Sequence, residues 1–529
     1  MAGQAEQLLA LFERNRDRGL LTDVRDGRAL AYGDFLDRSL ALAAGLERRG
    51  VRAGEPVVFS AENSVELAQL SFAALHTGAR VVPINPNYLP ADYAAILDRV
   101  RPRWFVSSAA VRAKVRDVLA KRPDIESLCF HPPVEKKKDA LTPLITLDVE
   151  AEATTGAKPA RTVAAAADDD VCFTMFTSGS TGTPKGINIR YGGILGNGRA
   201  FCRRLGLGPH HRFYNVLSMT YLGGLYNLFL IPVLAEGHML LDGVFGPSNL
   251  YAFWERVKDH RINALWFSPT MLSMLLAADD GEDLSWLSSQ VRIGICGMAP
   301  LAADLKRRFE EKFGFTLYEN YGLSETTFLT TNAPDLPAKP GSVGRPLDGV
   351  SVRVVGPDWE PLPDGREGQI LVKTPYLMAG YDQAETTDRP TLLPSGYFLT
   401  GDVGYKDAGG DVFITGRVKD LIIRGGINIS PKSIEDVIYR LDGVTEAAVI
   451  GVPHSVYGEE VALVIQAKAT DADRLTVDAV RKFCDESFAQ FQRPKHVFFI
   501  DEMPRGSTGK IQKSALKKML TERLDPLAD

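Results

Sequence analysis

Residues 177–186, TSGSTGTPKG, carry the residue types in this chain that are best suited to chemistry. The stretch contains three glycines, five hydroxyl side chains and one lysine. Glycines allow a turn whose backbone N–H groups approach a ligand closely, hydroxyls add hydrogen bonds, and a lysine supplies a point charge for phosphate. The pattern therefore predicts a loop that binds a polyphosphate.

This loop is not a Walker A motif, which ends in Gly-Lys followed by Ser or Thr, because Lys185 is followed by Gly186. A Ser/Gly/Thr run can also be a flexible linker. Here an apolar, strand-like run at 171–176 leads into the loop, and Pro184-Lys185-Gly186 leads out into another β-rich run. The context favours a structured loop between two strands.

Four further segments carry side chains that suit nucleotides or activated acids. An aromatic ring can stack on a base, a hydroxyl can bond phosphate, and a carboxylate can hold Mg²⁺. Taken singly, a Ser-Glu pair can also cap a helix, and an aspartate after glycine is a common turn residue. The segments are 320–326 (NYGLSET), 397–402 (YFLTGD), 414–431 (ITGRVKDLIIRGGINISP) and 504–511 (PRGSTGKI).

In this order and spacing, the five segments resemble the motifs of the adenylate-forming enzymes: acyl- and aryl-CoA synthetases, adenylation domains of peptide synthetases, and firefly-type luciferases. The resemblance extends from about residue 30 to residue 516 and is strongest to an acyl- or aryl-CoA ligase. It implies that ATP and Mg²⁺ activate a carboxylic acid as an acyl-adenylate, that pyrophosphate is released, and that a thiol such as that of coenzyme A then displaces AMP.

The resemblance also implies a role for each matching residue. The catalytic residues are expected to be Lys510, Ser324 and Glu325, with Glu325 also the metal ligand. The ATP/AMP-binding residues are expected to be Thr177, Ser178, Gly179, Ser180, Thr181, Gly182, Lys185, Gly297, Met298, Ala299, Asn320, Tyr321, Gly322, Asp402 and Arg417. Lys419 matches the hinge between the two domains of the family. Arg424, Gly425 and Gly426 match the thiol channel, and Tyr221, Gly224, Thr327 and Phe328 match the acyl pocket.

The chain departs from the family pattern at three places. Tyr221 stands where a histidine is usual, Arg190-Tyr191 replaces a common Thr-His, and Gln369 replaces a usual glutamate. None of these removes a core catalytic group, and Tyr221 is expected to change the shape of the acyl or thiol channel.

The acid predicted from the pocket is aliphatic, aromatic or polycyclic. Amino-acid-activating members carry an aspartate near the turn at 219–224, whereas this chain has Met219, Thr220 and Tyr221 there. An α-amino acid is therefore not the expected substrate. The remaining pocket positions are apolar to weakly polar, which suits an apolar acid.

Three functional classes follow from the motifs. The first is an acid–CoA ligase. The alternative is an acyl-AMP ligase that loads the phosphopantetheine thiol of a carrier protein; the short spacing from Gly416 to Pro431 disfavours the specialised fatty-acyl-AMP ligases. A non-catalytic scaffold is not expected, because Lys510, Glu325 and Asp402 are all present. Motifs alone leave luciferase-like oxygenation open.

The predicted fold is α/β. A large N-terminal domain, residues 1–418, would contain two sheet subdomains layered with helices and a small β-rich subdomain at 344–417. A small mobile α+β domain, residues 419–529, would follow. Helices are predicted at 34–50 and at 64–78, the second with an N-cap signal at Asn63 because Glu66 lies three residues on.

Composition excludes several classes. A net charge of −5 argues against a nucleic-acid surface, and the five scattered cysteines suggest neither disulfides nor a zinc site. The N-terminus lacks a basic region before an apolar core, so no secretory signal is expected and a cytoplasmic location is predicted. The uncharged stretch 213–235 is interrupted by polar residues and Pro232, which predicts a buried strand, loop and helix, not a membrane span.

Overall fold

The computed structural model describes residues 3–130, 145–177, 185–279, 281–382, 392–467, 475–505 and 511–521. Within these residues no helix is long and apolar enough to cross a membrane. The stretch 213–235 forms the end of a strand, a π-helix at Gly223–Leu230 and one short helix, all buried, as predicted.

The α-helices, in chain order, are α1 Gln4–Arg14, α2 Tyr32–Arg48, α3 Val65–His76, α4 Pro90–Val100, α5 Ala109–Ala120, α6 Val149–Ala153, α7 Tyr191–Leu205, α8 Ile231–Leu234, α9 Phe253–Asp259, α10 Pro269–Ala277, α11 Leu287–Gln290, α12 Ala303–Phe313, α13 Pro431–Ile438, α14 Val477–Ser487 and α15 Lys513–Thr521. Short 3₁₀ turns lie at Val163–Ala165 and Val418–Asp420.

The strands are β1 Gly19–Asp23, β2 Ala29–Ala31, β3 Pro56–Ser60, β4 Arg80–Pro83, β5 Trp104–Ser108, β6 Glu126–Phe130, β7 Ile145–Leu147, β8 Val171–Thr177, β9 Lys185–Arg190, β10 Arg212–Asn215, β11 His238–Leu241, β12 Ala264–Phe267, β13 Ile293–Cys296, β14 Leu317–Leu323, β15 Thr327–Thr331, β16 Arg345–Pro346, β17 Ser351–Val355, β18 Gly368–Lys373, β19 Gly380–Tyr381, β20 Phe398–Lys406, β21 Val412–Arg417, β22 Ile422–Arg424, β23 Ile427–Ile429, β24 Val444–His454, β25 Gly458–Ala467 and β26 His496–Phe499.

An eight-stranded sheet has the order β19-β9-β8-β4-β3-β5-β6-β7. Its strands from β8 through β4, β3, β5 and β6 to β7 run parallel, whereas β8–β9 and β9–β19 are antiparallel. The sequence of residues 131–170 has little periodicity and predicts a surface connection, yet β7 within this stretch completes the sheet. The lysine run at 136–138, which predicts a solvated face, lies outside the described residues.

A nine-stranded sheet has the order β16-β15-β14-β13-β12-β10-β11-β1-β2. Its central strands, from β1 and β11 through β10, β12 and β13 to β14, are parallel, and its outer pairs are antiparallel. The largest buried cluster joins both sheets, because it contains Val57 and Phe173 of one together with Phe213 and Trp266 of the other. The two sheets therefore share one hydrophobic core.

Two smaller sheets follow. Residues 344–417 contain a four-stranded antiparallel sheet, β17-β18-β20-β21, which confirms the predicted β-rich subdomain. The C-terminal residues form a five-stranded sheet, β23-β22-β25-β24 with β26 beside β25, packed with α13 and α14. The α/β fold class predicted from the sequence is confirmed.

The predicted N-cap of the second helix was one residue too early. Ser64 caps α3, because its hydroxyl accepts a hydrogen bond from the backbone N–H of Leu67. The Asn63 side chain instead donates to the carbonyl oxygens of Leu217 and Asp242, and it accepts from the N–H of Met219. Asn63 therefore ties the start of α3 to the loop that precedes the π-helix.

Candidate active site

The two ends of the predicted phosphate loop are held together by a β-hairpin. Strands β8 and β9 are antiparallel, and Thr177 is paired with Lys185 across them. This register places the two residues that flank 178–184 opposite each other at adjacent strand ends. Ser178, Gly179, Ser180, Thr181 and Gly182 themselves lie outside the described residues, so their roles remain predictions.

Glu325 is linked to the end of this hairpin through Tyr381. The Tyr381 hydroxyl donates to Glu325 Oε1 at 3.2 Å, and the ammonium nitrogen of Lys185 lies 5.7 Å from the centroid of the Tyr381 ring. Strand β19, which contains Tyr381, pairs with β9, which contains Lys185. The expected metal ligand and the expected phosphate lysine therefore lie around one tyrosine.

Tyr221 lies near Glu325. Its hydroxyl is close to the Ser324 side chain, and its environment includes Glu325 and Tyr88. Burial, followed by the negative charge nearby, raises the pKa of Tyr221 to about 12. Tyr221 is therefore a neutral hydroxyl at ordinary pH, placed beside two of the three expected catalytic residues.

Asp402 interacts with two other residues that are predicted to bind the nucleotide. The Tyr321 hydroxyl donates to Asp402 Oδ2 at 2.6 Å, and Arg417 Nε lies 2.9 Å from Asp402 Oδ1. Asp402 is only 2% exposed. Burial raises the pKa of Tyr321 well above its ordinary value, and the neighbouring Asp402 carboxylate raises it further. Burial lowers the pKa of Arg417, but Asp402 and Asp420 outweigh that effect and raise it.

The remaining residues expected to bind the nucleotide lie directly after β13 and within the adjacent strand β14. Gly297, Met298 and Ala299 follow β13, and the Asn320 side chain of β14 donates to the carbonyl of Cys296 at 3.2 Å. A Cβ at Gly322 would lie 2.1 Å from the carbonyl oxygen of Thr327, so only glycine permits this approach of β14 to β15. The sheet edge therefore brings residues 297–299 beside the 320–326 segment.

The segment expected to line the acyl pocket has an unusual backbone conformation at Thr327 and buried side chains packed around Phe328. Thr327 is β-branched yet has φ +56°, a strained combination that surrounding structure must maintain. Phe328 is clamped by Asn197, whose Oδ1 accepts from the Phe328 N–H at 3.0 Å and whose Nδ2 donates to the Phe328 carbonyl at 2.7 Å. The Phe328 ring stacks on Phe201 with centroids 4.1 Å apart.

Gly224 lies in the same region but faces backbone. A Cβ there would lie 2.3 Å from the carbonyl carbon and oxygen of Ser218, so the π-helix packs directly on the loop that carries Tyr221. Thr327, Phe328 and Tyr221 are therefore held by buried neighbours, and Gly224 allows the loop to approach.

The residues expected to form the hinge and the thiol channel lie in the C-terminal sheet or directly before it. Lys419 is exposed in the single turn Val418–Asp420, between β21 and β22. Gly425 and Gly426 form the turn of the β22–β23 hairpin. Arg424 Nε lies 2.7 Å from Glu460, and the Arg424 guanidinium lies 4.7 Å from the Tyr457 ring centroid.

Tyr381 was not predicted from the sequence. Of the three expected catalytic residues, the structure describes Ser324 and Glu325. Tyr381 is far from any predicted motif in sequence, and only its pairing in β19 brings it to Glu325. Among the described residues no group of three or more His, Cys, Asp or Glu could hold a metal ion. The predicted catalytic Lys510 lies outside the described residues.

Comparison with known proteins decides the family. The profile of the AMP-binding enzyme family matches residues 10–382, and that of the AMP-binding enzyme C-terminal domain matches residues 433–510. The chain belongs to the AMP-binding enzyme family. This AMP-binding enzyme is 32% identical over 513 residues to the sulfoacetate–CoA ligase of Cupriavidus necator, with 94% of each chain covered.

Two further comparisons cover nearly the whole AMP-binding enzyme. It is 31% identical over 506 residues to the feruloyl-CoA synthase of an Amycolatopsis species, covering 93% of this chain and 94% of the other. It superposes on ATP-bound MatB from Rhodopseudomonas palustris with a TM-score of 0.87 and 29% identity, over 98% of this chain and 99% of that one. On the apo form of MatB the TM-score is 0.75, at 28% identity and the same coverage.

Proposed function

We propose that this protein is an ATP-dependent carboxylic acid–CoA ligase that works through an acyl-adenylate. The observation that carries the proposal is the meeting of two groups of side chains at Glu325. Lys185 and Tyr381 lie in strands of the eight-stranded sheet, whereas Tyr221 and Ser324 lie in the connections that follow strands β10 and β14 of the nine-stranded sheet. The first group is expected to bind the phosphates of ATP and the second to border the acid. Their meeting at one carboxylate suits the condensation of ATP with an acid.

The nucleoside end of ATP is assigned to the Asp402 group. A carboxylate that is 2% exposed and already accepts from Tyr321 and Arg417 is oriented to accept further hydrogen bonds from ribose hydroxyls. The Tyr321 ring offers an apolar face for adenine. Asn320 and residues 297–299 then border the base on the adjacent strand ends.

The residues around Glu325 fit Mg²⁺. This ion usually binds one or two carboxylates together with substrate phosphates and waters, so a single carboxylate beside a phosphate loop is a sufficient protein contribution. When bound, Mg²⁺ would neutralise charge that develops on the phosphate oxygens. Tyr381 would orient the Glu325 carboxylate, since its hydroxyl donates to Oε1.

The first half-reaction joins the acid to AMP. A carboxylate oxygen of the acid attacks the α-phosphorus of ATP, the bond to the β-phosphate oxygen breaks, and pyrophosphate leaves with the electron pair. Lys185, the N–H groups of the loop and Lys510 would stabilise the charge on these oxygens, and one such donor can be worth about 10²–10³ in rate. Tyr221, as a neutral hydroxyl, would hold Ser324 beside the acid.

The second half-reaction forms the thioester. The sulfur of CoA attacks the acyl carbonyl, AMP leaves with the electron pair of the C–O bond, and the thiol proton is released. The two half-reactions need different surfaces at one site, which a small domain turning at Lys419 would supply. In the second orientation the Arg424–Gly426 hairpin would replace Lys510.

The acid is expected to have an apolar body. The Phe328 wall is backed by the rings of Phe201, Tyr226 and Trp266, with Phe328 centroid distances of 4.1, 5.3 and 5.5 Å. Aromatic walls favour aromatic or aliphatic groups. The five cysteines are all free and buried, in keeping with the proposed cytoplasmic location.

The test is pyrophosphate release with ATP and Mg²⁺ across a panel of acids, with and without CoA. The panel contains sulfoacetate, oxalate, octanoate, benzoate and ferulate, and mass spectrometry checks each reaction for the thioester. Turnover that rises with CoA and yields acyl-CoA is the expected result.

Other outcomes separate the alternatives. One burst of pyrophosphate that CoA does not relieve, followed by transfer to a phosphopantetheinylated carrier protein, would replace CoA by a carrier-protein thiol. No acid-dependent pyrophosphate with any panel member would contradict the proposed reaction with these acid classes.

A further inference from the structure

Arg505 directly precedes residues 506–510, the segment that contains Lys510. An isolated antiparallel bridge pairs Arg505 with Ile511, and the N–H of Gln512 donates to the carbonyl of Pro504 at 2.7 Å. These contacts close the chain on both sides of residues 506–510. The position of the Arg505 backbone therefore fixes the two ends of the segment that carries the expected catalytic lysine.

The Arg505 guanidinium joins the small domain to the large one. Its Nη1 donates to the Thr270 hydroxyl at 3.1 Å, and its Nη2 donates to the Glu446 carboxylate. Thr270 is in the first turn of α10 in the large domain, whereas Glu446 is in β24 of the small domain. The Arg505 and Glu446 side chains are 25% and 9% exposed, so this ion pair is largely shielded from solvent.

Other contacts lie on the same face of the small domain. Tyr439, directly after α13, packs against the large-domain cluster that contains Met271 and Leu272 of α10. Burial raises the pKa of Glu319 in β14, and the ammonium groups of Lys306 and then Lys432 counteract that rise. Because Lys432 belongs to α13, it brings positive charge from the small domain to a buried carboxylate of the large one.

The thiol-channel hairpin does not share these contacts. Ile423 and Ile427, which flank its turn, are 55% and 46% exposed, and Val456 in the adjacent turn is 74% exposed. The contacts described between the two domains therefore lie on the face of the small domain that carries Arg505, Tyr439 and Lys432.

We propose that Arg505 is a positioning residue for adenylation, and that Thr270 is its docking partner on the large domain. Glu446 holds the guanidinium within the small domain in either orientation, while the hydrogen bond to Thr270 forms only when the lysine loop faces the site. Arg505 thereby sets the register in which the loop approaches ATP and the acid. The proposal rests on the two half-reactions of the proposed function.

The test measures the two half-reactions separately in the full chain. Adenylation is followed as acid-dependent ATP–pyrophosphate exchange with the panel acid that gives the highest turnover. Thioester formation is followed from the corresponding synthetic acyl-adenylate and CoA. The variants are Arg505→Gln, Arg505→Lys and Thr270→Val, with Arg440→Gln as the control because Arg440 is an exposed arginine of the same domain.

We expect adenylation to fall about tenfold in Arg505→Gln and in Thr270→Val, since a hydrogen bond from a charged group is lost. Thioester formation should stay within about twofold of the unsubstituted enzyme. Arg505→Lys should recover part of the exchange rate. The double variant Arg505→Gln/Thr270→Val should be no slower than Arg505→Gln, because each single change already removes the hydrogen bond between Arg505 and Thr270. Equal losses in both half-reactions, or losses that multiply in the double variant, would overturn the proposal.

A second measurement is independent of turnover. The five native cysteines are buried, so dyes can be attached to cysteines introduced at exposed Tyr251 and Val456. Energy transfer between the dyes reports the orientation of the small domain with ATP alone. Arg505→Gln should shift or broaden the transfer efficiency and Arg440→Gln should not; an unchanged distribution in Arg505→Gln would refute the positioning role, whatever acid the enzyme uses.

Discussion

Tyr221 occupies a position at which a hydroxyl replaces the imidazole usual in the family. An imidazole has a nitrogen acceptor and titrates near neutrality, whereas Tyr221, with its pKa raised to about 12 by burial, remains a neutral hydroxyl. Its hydroxyl lies close to Ser324 and Glu325, two of the expected reacting groups. The residue is therefore suited to orienting the acid without gaining or losing charge over the physiological range.

Replacing Tyr221 tests that role. Tyr221→Phe removes the hydroxyl but keeps the ring, so acid-dependent ATP–pyrophosphate exchange should fall by up to about tenfold, the worth of one hydrogen bond. Tyr221→His should introduce a pH dependence near neutrality that the native enzyme lacks. The pH profiles of kcat for the three proteins provide the measurement, and an unchanged kcat in Tyr221→Phe would contradict the role.

The residues that could be predicted from the sequence are those in contiguous motifs. Tyr321, Glu325, Asp402 and Arg417 each belong to a short recognisable segment, and the structure brings Tyr321 and Arg417 onto Asp402. Tyr381 could not be predicted, because it reaches Glu325 through strand pairing. Contacts of this kind depend on topology, which local patterns do not determine.

At the scale of elements, the π-helix and the loop before it form one packed unit. Gly224 allows the helix to touch the Ser218 backbone, and Asn63 binds the same loop through Leu217 and Met219. The position of Tyr221 therefore depends on close backbone packing. The sequence predicted a buried segment here but not the π-helix, since hydrophobicity carries no signal for the wider turn.

Gly224→Ala should destabilise the enzyme. The new methyl group would lie 2.3 Å from backbone atoms that cannot move away cheaply, and overpacking of this kind costs about 1–3 kcal/mol or more. Gly243→Ala is the matched control, since a Cβ there meets nothing within 4 Å. The midpoints of thermal unfolding without ATP provide the comparison. Equal midpoints for the two variants would contradict the prediction, because they would mean that the loop around Ser218 can move to accommodate the methyl group.

The turn Val418–Asp420 is the element on which domain rotation should depend. Lys419→Pro fixes φ at this exposed position and restricts Val418 as well. Adenylation should remain within about twofold, whereas thioester formation should slow by at least about tenfold, because the turn can no longer change conformation. Separate assays of the half-reactions check this, and equal slowing of both would place the pivot elsewhere.

At the scale of the whole molecule, the N-terminal core contains a histidine that must stay neutral. His76 is fully buried, its Nδ1 accepts from the N–H of Val163, and burial lowers its pKa from 6.5 to about 3. Protonation would place a charge in the core and remove that acceptor. Burial likewise lowers the pKa values of His211 and His238 to about 4.

The stability of the enzyme should therefore decrease in mild acid. The folded pKa of His76 lies below the unfolded value, so the unfolded chain binds more protons between pH 6.5 and about 3, and the free energy of unfolding falls as pH falls through that window. At pH 5 the share of His76 is about 2 kcal/mol. Urea unfolding at pH 7.5 and pH 5 measures it; His76→Gln should reduce the difference, and an identical difference in both proteins would contradict this assignment.

Strand β19 forms one edge of the eight-stranded sheet, although it lies far from the other strands of that sheet in sequence. Its partner β9 ends at Arg190, whereas β19 is Gly380–Tyr381, and Asp382 forms an ion pair with Arg80 at 3.0 Å. During synthesis on the ribosome, β9 is therefore complete nearly two hundred residues before its outer neighbour emerges. Unpaired edges of this kind attract other strands. The nascent enzyme must therefore protect the outer edge of β9, in the hairpin that flanks the predicted phosphate loop, until residue 382 has been made.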